Sequence, residues 1–275
     1  MQEYRPRKQD LLVSQILRAT KDVRSVIISG PPGVGKTSFT RWFAREVGAV
    51  EVYFLAHHWV SEEDLFVKLD PARVAALAGG IGQNLCIDDA YRPGVLLRAS
   101  LLSQKEKVVL ILDEWDKSPD RCDALLLEFL QQGRIVGPFG EEFQACLENL
   151  FVFITTNGMR QLSEPLLRRC LRYDMSFLPP ETEADVIRRK TGVPITVARL
   201  IVAMLNTIRS DGVTAPSLQE GIRLAESLRV CQSAEDAEFC IRGWLVKEDE
   251  DWQALVNKFK TPASVLYGEW RRCGR

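Results

Sequence analysis

The sequence is poor in the residues that most often build metal sites and charge-relay triads. Only two histidines occur in 275 residues, and they are the adjacent His57 and His58. The seven cysteines are scattered, odd in number and without a C-x-x-C pair. The sequence therefore contains too few histidines to favour a histidine-based metal site or a Ser-His-Asp triad. We expect reduced, mostly buried thiols rather than disulfides or zinc ligands.

The chain also lacks an excess of either charge and lacks any long apolar run. Its formal net charge of -1 provides no overall attraction to nucleic acid or to an anionic membrane. No run approaches the roughly 20 apolar residues that span a bilayer. The first ten residues, MQEYRPRKQD, are basic and polar without the apolar core of a signal peptide. We therefore expect a cytoplasmic protein with no membrane partner.

What the chain does contain is a glycine-rich pattern for binding phosphate. The stretch GPPGVGKTS fits G-x-x-x-x-G-K-[ST] and lies between an apolar, strand-like run at 26–28 and a helical run at 36–47. Backbone N–H groups of such a loop, with the positive end of the new helix, attract a polyphosphate. The alternative is a Gly/Pro-rich turn with a surface lysine. The predicted nucleotide-binding residues are Gly30, Pro31, Pro32, Gly33, Val34, Gly35, Lys36, Thr37 and Ser38.

Roles follow for two side chains of this loop and for polar residues at two later strand ends. Lys36 would reach the β- and γ-phosphates, and Thr37 would ligate Mg²⁺. Asp113 and Glu114 follow the apolar run Val108 to Leu112, at the edge where open α/β sheets bind ligands. There Asp113 would hold Mg²⁺ through water, and Glu114 would orient and polarise the attacking water, unless the acidic pair simply caps the next helix.

Asn157 ends the next apolar run, Leu150 to Ile154 followed by two threonines. A polar amide at this strand end, beside the acidic pair, could hold the lytic water or touch the γ-phosphate. Taken alone, Asn157-Gly158 indicates only a turn.

The periodicity predicts an α/β domain with a parallel sheet flanked by helices, followed by a small all-helical domain. Pro179-Pro180 is the best boundary, which divides the chain into residues 1–178 and 179–275. Residues 68–93 are interpreted as an insertion and 133–143 as a hairpin. A strand-like alternation is predicted from Leu171 to Phe177.

Further helices are expected at both ends of the chain. Asp10 is a candidate N-cap for an amphipathic helix that runs to Ala19. The second domain is predicted to contain five successive helices: 182–190, 195–209, 217–230, 234–247 and 249–258.

The order of these pieces resembles an AAA+ ATPase, and more narrowly its MoxR branch, over nearly the whole chain. The motifs that carry the resemblance are GPPGVGKTS as Walker A, VVLILDEWDKSP as Walker B, FVFITTN as the sensor 1 strand and LSEPLLRRCLRYDM as the arginine-finger segment. The resemblance implies a P-loop NTPase sheet with a helical lid, and ATP with Mg²⁺ as cofactors. It also implies that Asp113 binds Mg²⁺, Glu114 is the catalytic glutamate, Asn157 is sensor 1 and Arg169 is the finger, with Arg168 as a rival.

An arginine finger must reach the γ-phosphate of a neighbouring subunit. The resemblance therefore implies a homo-oligomer, expected as a hexameric ring, that remodels or activates a protein partner such as one with a von Willebrand factor A domain. The chain departs from the family at sensor 2, where Gln219 stands in place of an arginine. Two interpretations stay open: Arg223, one helical turn further on, substitutes for that arginine, or the lid is only weakly coupled to nucleotide.

Two other classes of function compete with this prediction. The first is a nucleic-acid-linked AAA+ motor or the NTPase subunit of a restriction or defence system, which should carry a basic strip. In the predicted hairpin Arg134 is opposed by Glu141 and Glu142. The second is a GTPase or small-molecule kinase, but NKFK at 257–260 lacks the aspartate that a guanine-reading N-K-x-D motif requires.

Overall fold

A computed structural model describes residues 4–20, 24–72, 75, 91–136 and 142–273. Contacts between Cα atoms divide the chain into two compact units. The first unit comprises Met1–Gly30 and Gly35–Met175, and the second comprises Pro31–Val34 and Ser176–Arg275.

The first unit is built on a five-stranded sheet in which every pairing is parallel. In chain order its strands are β1 (Ser25–Ser29), β2 (Val50–Leu55), β5 (Val108–Asp113), β8 (Leu150–Thr156) and β9 (Leu171–Asp174). Their spatial order is β2-β5-β8-β1-β9. The fully described α-helices of this unit are α1 (Lys8–Ala19), α2 (Lys36–Glu46), α3 (Glu62–Leu65), α4 (Val95–Ser103), α5 (Arg121–Gln132) and α6 (Glu164–Leu167).

Strand β8 at the centre of the sheet and its neighbour β5 are buried along their whole length. All six residues of β5 and all seven residues of β8 are buried. A strand of a parallel sheet with helices on both faces is buried on both sides, so it is apolar throughout rather than alternating. The predicted parallel sheet flanked by helices is therefore the observed one.

The strand register places the polar strand ends at one edge of the sheet. Leu55 of β2 pairs with Asp113 of β5, and Leu112 pairs with Ile154 of β8. Ser29, the last residue of β1, pairs with Thr156. The segments that follow β1, β5 and β8 therefore all leave the sheet at its carboxyl edge.

Helix α2 is attached to the sheet by aromatic side chains. Phe39 and Phe43 are completely buried, as their spacing on one helical face predicts. The Phe39 ring makes edge-on contacts with Phe153 and Tyr173, with centroids 5.9 and 5.8 Å away. Phe43 packs edge-on against Phe151 at 5.2 Å. This packing fixes the helix that begins directly after the glycine-rich loop.

The first helix begins earlier than predicted, so Asp10 is not its N-cap. Helix α1 starts at Lys8, and Asp10 lies in its first turn with its side chain fully buried. The carboxylate accepts hydrogen bonds from the backbone N–H of Arg7 at 2.6 Å and from the hydroxyls of Tyr4 at 2.7 Å and Tyr173 at 2.5 Å. Because Asp10 bonds back to a backbone N–H that precedes the helix, the helix can start before it.

Two small antiparallel pairs lie outside the main sheet. Strands β3 (Val67–Leu69) and β4 (Tyr91–Pro93) pair within the predicted insertion, of which residues 73–74 and 76–90 lie outside the described residues. Strands β6 (Arg134–Val136) and β7 (Glu142–Gln144) form the predicted hairpin, whose residues 137–141 also lie outside the described part. The alternation predicted to Phe177 is shorter in the structure, because β9 ends at Asp174.

From residue 176 onwards, the described residues of the second unit form helices joined by short connections and contain no strand, as predicted. Its helices are α7 (Pro180–Thr191), α8 (Ile195–Asp211), α9 (Leu218–Ser227), α10 (Ala234–Leu245), α11 (Asp249–Phe259) and α12 (Pro262–Cys273). The last helix was not predicted from the sequence. It contributes Ala263 and Leu266 to the same buried cluster as Ile201 and Leu205 of α8.

Candidate nucleotide site

The glycine-rich loop joins β1 to α2 and depends on backbone conformations that favour glycine. Gly30, Gly33 and Gly35 have φ angles of 146°, 76° and 102°. An L side chain is strained in this region. Gly35 is the N-cap of α2, so the backbone N–H groups at the start of this helix lie directly after the loop. This arrangement suits an anion at the helix N-terminus.

Lys36 is the first residue of α2, and its side chain is almost completely buried. Its ammonium group donates hydrogen bonds to the carbonyl oxygen of Gly30 at 2.6 Å and to Oδ1 of Asn157 at 2.7 Å. Burial lowers the pKa of Lys36, and the nearby carboxylates of Asp116, Asp113 and Glu114 oppose that shift. The structure thus brings Lys36 and Asn157 together although 121 positions separate them in the chain.

Asp113 is held by hydroxyl groups from three different elements. Thr37 Oγ1 lies 3.1 Å from both carboxylate oxygens, Tyr53 donates to Oδ2 at 2.8 Å, and Thr155 donates to Oδ1 at 2.5 Å. Burial and the bond to Asp113 raise the pKa of Tyr53 to about 12. Sequence reasoning paired Thr37 with Asp113 but missed Tyr53 and Thr155 as partners of the carboxylate.

Glu114 has a backbone conformation that is unusual for a residue with a side chain. Its φ of 53° and ψ of 45° lie in the left-handed region, which costs on the order of 1–3 kcal/mol for a residue with a side chain; such residues cluster at functional sites. Its backbone N–H donates to Thr155 Oγ1 at 2.9 Å. Its two carboxylate oxygens accept from Lys117 Nζ at 2.5 Å and from Asn157 Nδ2 at 3.2 Å.

Asn157 therefore bridges the lysine of the loop and the glutamate of the acidic pair. Its backbone N–H also donates to Oδ2 of Asp116 at 3.0 Å, as does the N–H of Met159 at 2.9 Å. Asp116 is 4% exposed, and sequence reasoning missed it. The D-E-x-D spacing was the available signal, because it places the carboxylate of Asp116 one short turn after Asp113.

The donor set around Asp113 fits a hard divalent cation. Magnesium prefers oxygen ligands, and it commonly takes one or two from the protein and the rest from water and phosphate. The carboxylate of Asp113 and the hydroxyl of Thr37 are two such oxygens in contact. The described residues hold no group of three or more His, Cys, Asp or Glu side chains arranged for a metal. The two oxygens of Asp113 and Thr37 fit a magnesium ion whose other ligands are water and phosphate.

The comparison of sequence families identifies the chain. The profile of the ATPase family associated with various cellular activities (AAA) matches residues 26–179, which is more than half of the sequence. This chain belongs to the AAA family of ATPases. As an AAA ATPase it binds and hydrolyses nucleotide, and the matched segment contains every residue of the cluster around Lys36.

Solved structures show the same fold in this AAA chain and in the RuvB protein of Thermotoga maritima. One substituted variant of that RuvB has a TM-score of 0.55 at 16% identity, covering 95% of this chain and 81% of the other. A second variant has a TM-score of 0.53 at 17% identity, covering 90% and 67%. A RuvB structure described as a Holliday junction branch migration motor has a TM-score of 0.50 at 16% identity, covering 90% and 66%.

Two further comparisons are negative. No curated protein matches the sequence. In the described residues, no helix is both long enough and apolar enough to cross a bilayer.

An ion pair between the buried Asp123 and the partly exposed Arg160 supports the turn that carries the acidic residues of this AAA ATPase. Arg160 donates to both carboxylate oxygens of Asp123, at 2.7 and 3.1 Å. Asp123 also accepts from Trp115 Nε1 at 2.9 Å and from the N–H of Ser163 at 2.8 Å. Burial alone would raise the pKa of Asp123, but these donors hold it below its usual value. The pair ties the segment after Glu114 to the segment after β8.

The two candidate finger arginines are exposed and make hydrogen bonds within the first unit. Arg168 pairs with Glu164 one helical turn earlier. Arg169 donates to the carbonyl oxygen of Pro165 at 2.9 Å and to Oε1 of Gln131 at 3.0 Å. Of the two, Arg168 has a carboxylate partner, whereas the partners of Arg169 are neutral.

In the second unit, the sensor 2 position lies in the first turns of α9. Ser217 and Glu220 form a capping box, in which the Ser217 N–H donates to Glu220 at 2.6 Å and the Glu220 N–H donates to Ser217 Oγ at 3.3 Å. Gln219 is exposed. The guanidinium of Arg223 lies 5.3 Å from the centre of the Trp244 ring, so its contact is within the helical unit.

Proposed function

We propose that this AAA ATPase couples hydrolysis of ATP with Mg²⁺ to the remodelling or activation of a protein partner, in the manner of the MoxR branch. The observation that carries the catalytic part is one contact network. In it Asn157 joins Lys36 to Glu114, and the neighbouring Asp113 bonds to Thr37. These are the side chains that phosphate binding, water activation and metal binding require, and they belong to separate segments of the chain.

In this proposal, backbone N–H groups of Gly30 to Ser38 and the ammonium group of Lys36 bind the phosphates. Thr37 and Asp113 would hold the magnesium, which would neutralise charge on the phosphates when bound. Glu114 accepts a proton from the attacking water, and Asn157 orients that water or the γ-phosphate. The hydrogen bond from Asn157 supports this role for Glu114, because it holds one carboxylate oxygen in a fixed direction.

Arg169 completes the site of a neighbouring subunit in a homo-oligomeric ring, which we propose to be hexameric. A guanidinium spreads positive charge over a planar fork and suits the equatorial oxygens of the transferred phosphoryl group. The exposure of Arg169 and its bonds to two neutral oxygens are compatible with release towards a neighbour. Arg168 is less suitable, because Glu164 already neutralises its charge.

The proposed partner is a protein, for which a von Willebrand factor A domain protein is the first candidate. The charges of the β6–β7 hairpin favour a protein over nucleic acid. Arg134 is paired with both Glu128 and Glu142, so this cation is not free for a phosphate backbone. The formal net charge of -1 adds no general attraction to polyanions.

A nucleic-acid-linked motor, or the NTPase subunit of a restriction or defence system, is the second candidate. One RuvB structure with this fold is described as that of a Holliday junction branch migration motor.

We further propose that residues 1–178 form the nucleotide-binding domain and residues 179–275 the lid. The cytoplasmic location remains a prediction of the sequence.

The proposal is tested by trapping the partner on an ATP-bound form. Tagged Glu114→Gln protein is incubated with native lysate and ATP, beside a Glu114→Gln/Lys36→Ala double variant that should not bind the nucleotide. We expect a protein that is captured by the first form only, and that changes the ATPase rate of the wild type when purified. Stimulation by duplex or branched DNA, with no such protein, would instead support the nucleic-acid motor.

A further inference from the structure

We propose that Tyr53 is a positioning residue for the metal-binding carboxylate, and that its hydroxyl group sets how tightly the site holds magnesium with nucleotide. This inference rests on the proposed magnesium site at Asp113 and Thr37. Tyr53 lies outside the glycine loop, the acidic pair and the sensor 1 strand, and no sequence motif points to it.

The sheet order explains how Tyr53 reaches Asp113. Strand β5 carries Asp113 and lies between β2 and β8. Tyr53 on β2 donates to Oδ2 at 2.8 Å, and Thr155 on β8 donates to Oδ1 at 2.5 Å. Each carboxylate oxygen of Asp113 therefore accepts a hydrogen bond from one of the two strands that flank β5. Rotation of the carboxylate about its side-chain bond would break both hydrogen bonds.

With both oxygens held, the carboxylate has one defined orientation towards α2. Thr37 Oγ1, at the start of this helix, lies at the same 3.1 Å from Oδ1 and Oδ2. Groups that hydrogen-bond to metal ligands orient those ligands, and their loss commonly weakens metal affinity by about 10–100-fold. Tyr53 and Thr155 are such groups, because each donates a hydrogen bond to the proposed ligand Asp113.

The ring of Tyr53 is placed independently of its hydroxyl group. It is 40% exposed on an edge strand, and the guanidinium of Arg41 lies 5.4 Å from the ring centre. Arg41 also pairs with Glu51 on the same strand at 3.3 Å. A phenylalanine would keep the ring and its contact with Arg41, so Tyr53→Phe removes the hydrogen bond to Asp113 alone.

The test measures the binding of a fluorescent, non-hydrolysable ATP analogue to the wild type, to Tyr53→Phe and to Tyr267→Phe. Tyr267 is the matched control, because its hydroxyl bonds to the carbonyl oxygen of Gln232 in the helical unit. Affinity is measured first in EDTA and then as magnesium is added. Thermal melts of the same samples show whether the fold is kept.

We expect Tyr53→Phe to bind the analogue as the wild type does in EDTA, and to need about 10-fold more magnesium for half of the magnesium-dependent gain. Tyr267→Phe should match the wild type in both conditions. Equal magnesium midpoints for Tyr53→Phe and the wild type would overturn the positioning role while leaving the magnesium site in place. If magnesium does not change the affinity of the wild type for the analogue, the proposed magnesium site at Asp113 and Thr37 is wrong.

Discussion

At the scale of single residues, Asn157 joins the separate parts of the candidate site. Its side-chain oxygen accepts from Lys36, its side-chain nitrogen donates to Glu114, and its backbone N–H donates to Asp116. An amide is suited to this position because it offers an acceptor and a donor at once. A carboxylate would repel Glu114, and a hydroxyl would be too short to reach both partners.

Replacing Asn157 with alanine should therefore affect the chemical step more than nucleotide binding. We expect kcat for ATP hydrolysis to fall about 10²–10³-fold, the range found when one oriented hydrogen-bond donor is removed from a catalytic site. Affinity for the analogue should change little. Asn257→Ala, which alters an exposed asparagine of the helical unit, is the control. A kcat within about twofold of wild type would remove Asn157 from the catalytic group.

Local pattern was sufficient to predict some of these residues and insufficient for others. Lys36, Asp113 and Glu114 lie beside a glycine loop or at the end of an apolar run, so their surroundings are visible in the sequence. Tyr53 and Thr155 lie within strands, where an aromatic or β-branched residue is ordinary. Their bonds to Asp113 depend on the order of strands in the sheet, which a single sequence does not specify.

At the scale of elements, buried carboxylates join segments that are distant in the sequence. Asp251, in the first turn of α11, is fully buried. It accepts five hydrogen bonds: from Val213 N, Thr214 N, Thr214 Oγ1, Lys247 N and Glu248 N. Burial alone would raise the pKa of Asp251, but these donors hold it below its usual value. The carboxylate thus links the loop after α8 to the start of α11.

Asp251→Asn should destabilise the helical unit, because the amide group cannot accept from all five donors. The expected loss is about 1.5–3 kcal/mol at pH 7, the range for hydrogen bonds to a charged group. Since the folded pKa of Asp251 is depressed, its contribution is complete above the unfolded value of about 4 and disappears as the pH falls further. Urea unfolding at pH 7 and at acidic pH measures both effects.

The control for this prediction is Asp249→Asn, which changes an exposed carboxylate in the same helical turn. It should shift the urea midpoint far less at pH 7. If Asp251→Asn is as stable as wild type at pH 7, or if its deficit is unchanged at acidic pH, the five bonds do not contribute as described.

The start of α1 and the presence of α12 were not predicted correctly from the sequence. Apolar runs and alternation predicted β1, β5, β8 and β9 of the sheet, and apolar periodicity predicted five helices of the second unit. The start of α1 was misjudged because Asp10 accepts from the backbone N–H of Arg7, so that it is the third residue of the first turn and not the N-cap. Helix α12 was missed because Gly268 interrupts its sequence and Pro262 precedes its apolar face. Its stability comes from packing in the core of the helical unit, which periodicity does not reveal.

At the scale of the whole molecule, the proposed catalysis requires more than one subunit. The exposed Arg169 lies after α6, and we assign it to the site of a neighbour. The fold shared with RuvB of Thermotoga maritima shows the architecture alone. Variants of Arg169 therefore test whether hydrolysis requires a second subunit.

Arg169→Ala should reduce hydrolysis by about 10³-fold or more, as expected for an arginine finger. Mixing it with Lys36→Ala protein should restore part of the activity, because mixed rings place an intact Arg169 beside an intact loop. Native mass spectrometry confirms that mixed assemblies form, and Arg168→Ala serves as the matched variant. Mixed rings that show no recovery at any ratio would exclude Arg169 as the finger.

The central claim is that Glu114 activates the water that attacks bound ATP. Steady-state hydrolysis and analogue binding are measured together for wild type, Glu114→Gln and Glu106→Gln, an exposed glutamate of the same unit. We predict that Glu114→Gln binds the analogue as the wild type does, and that its turnover falls about 10²–10⁴-fold, the usual contribution of a general base. Turnover of Glu114→Gln close to that of Glu106→Gln would contradict this role for Glu114.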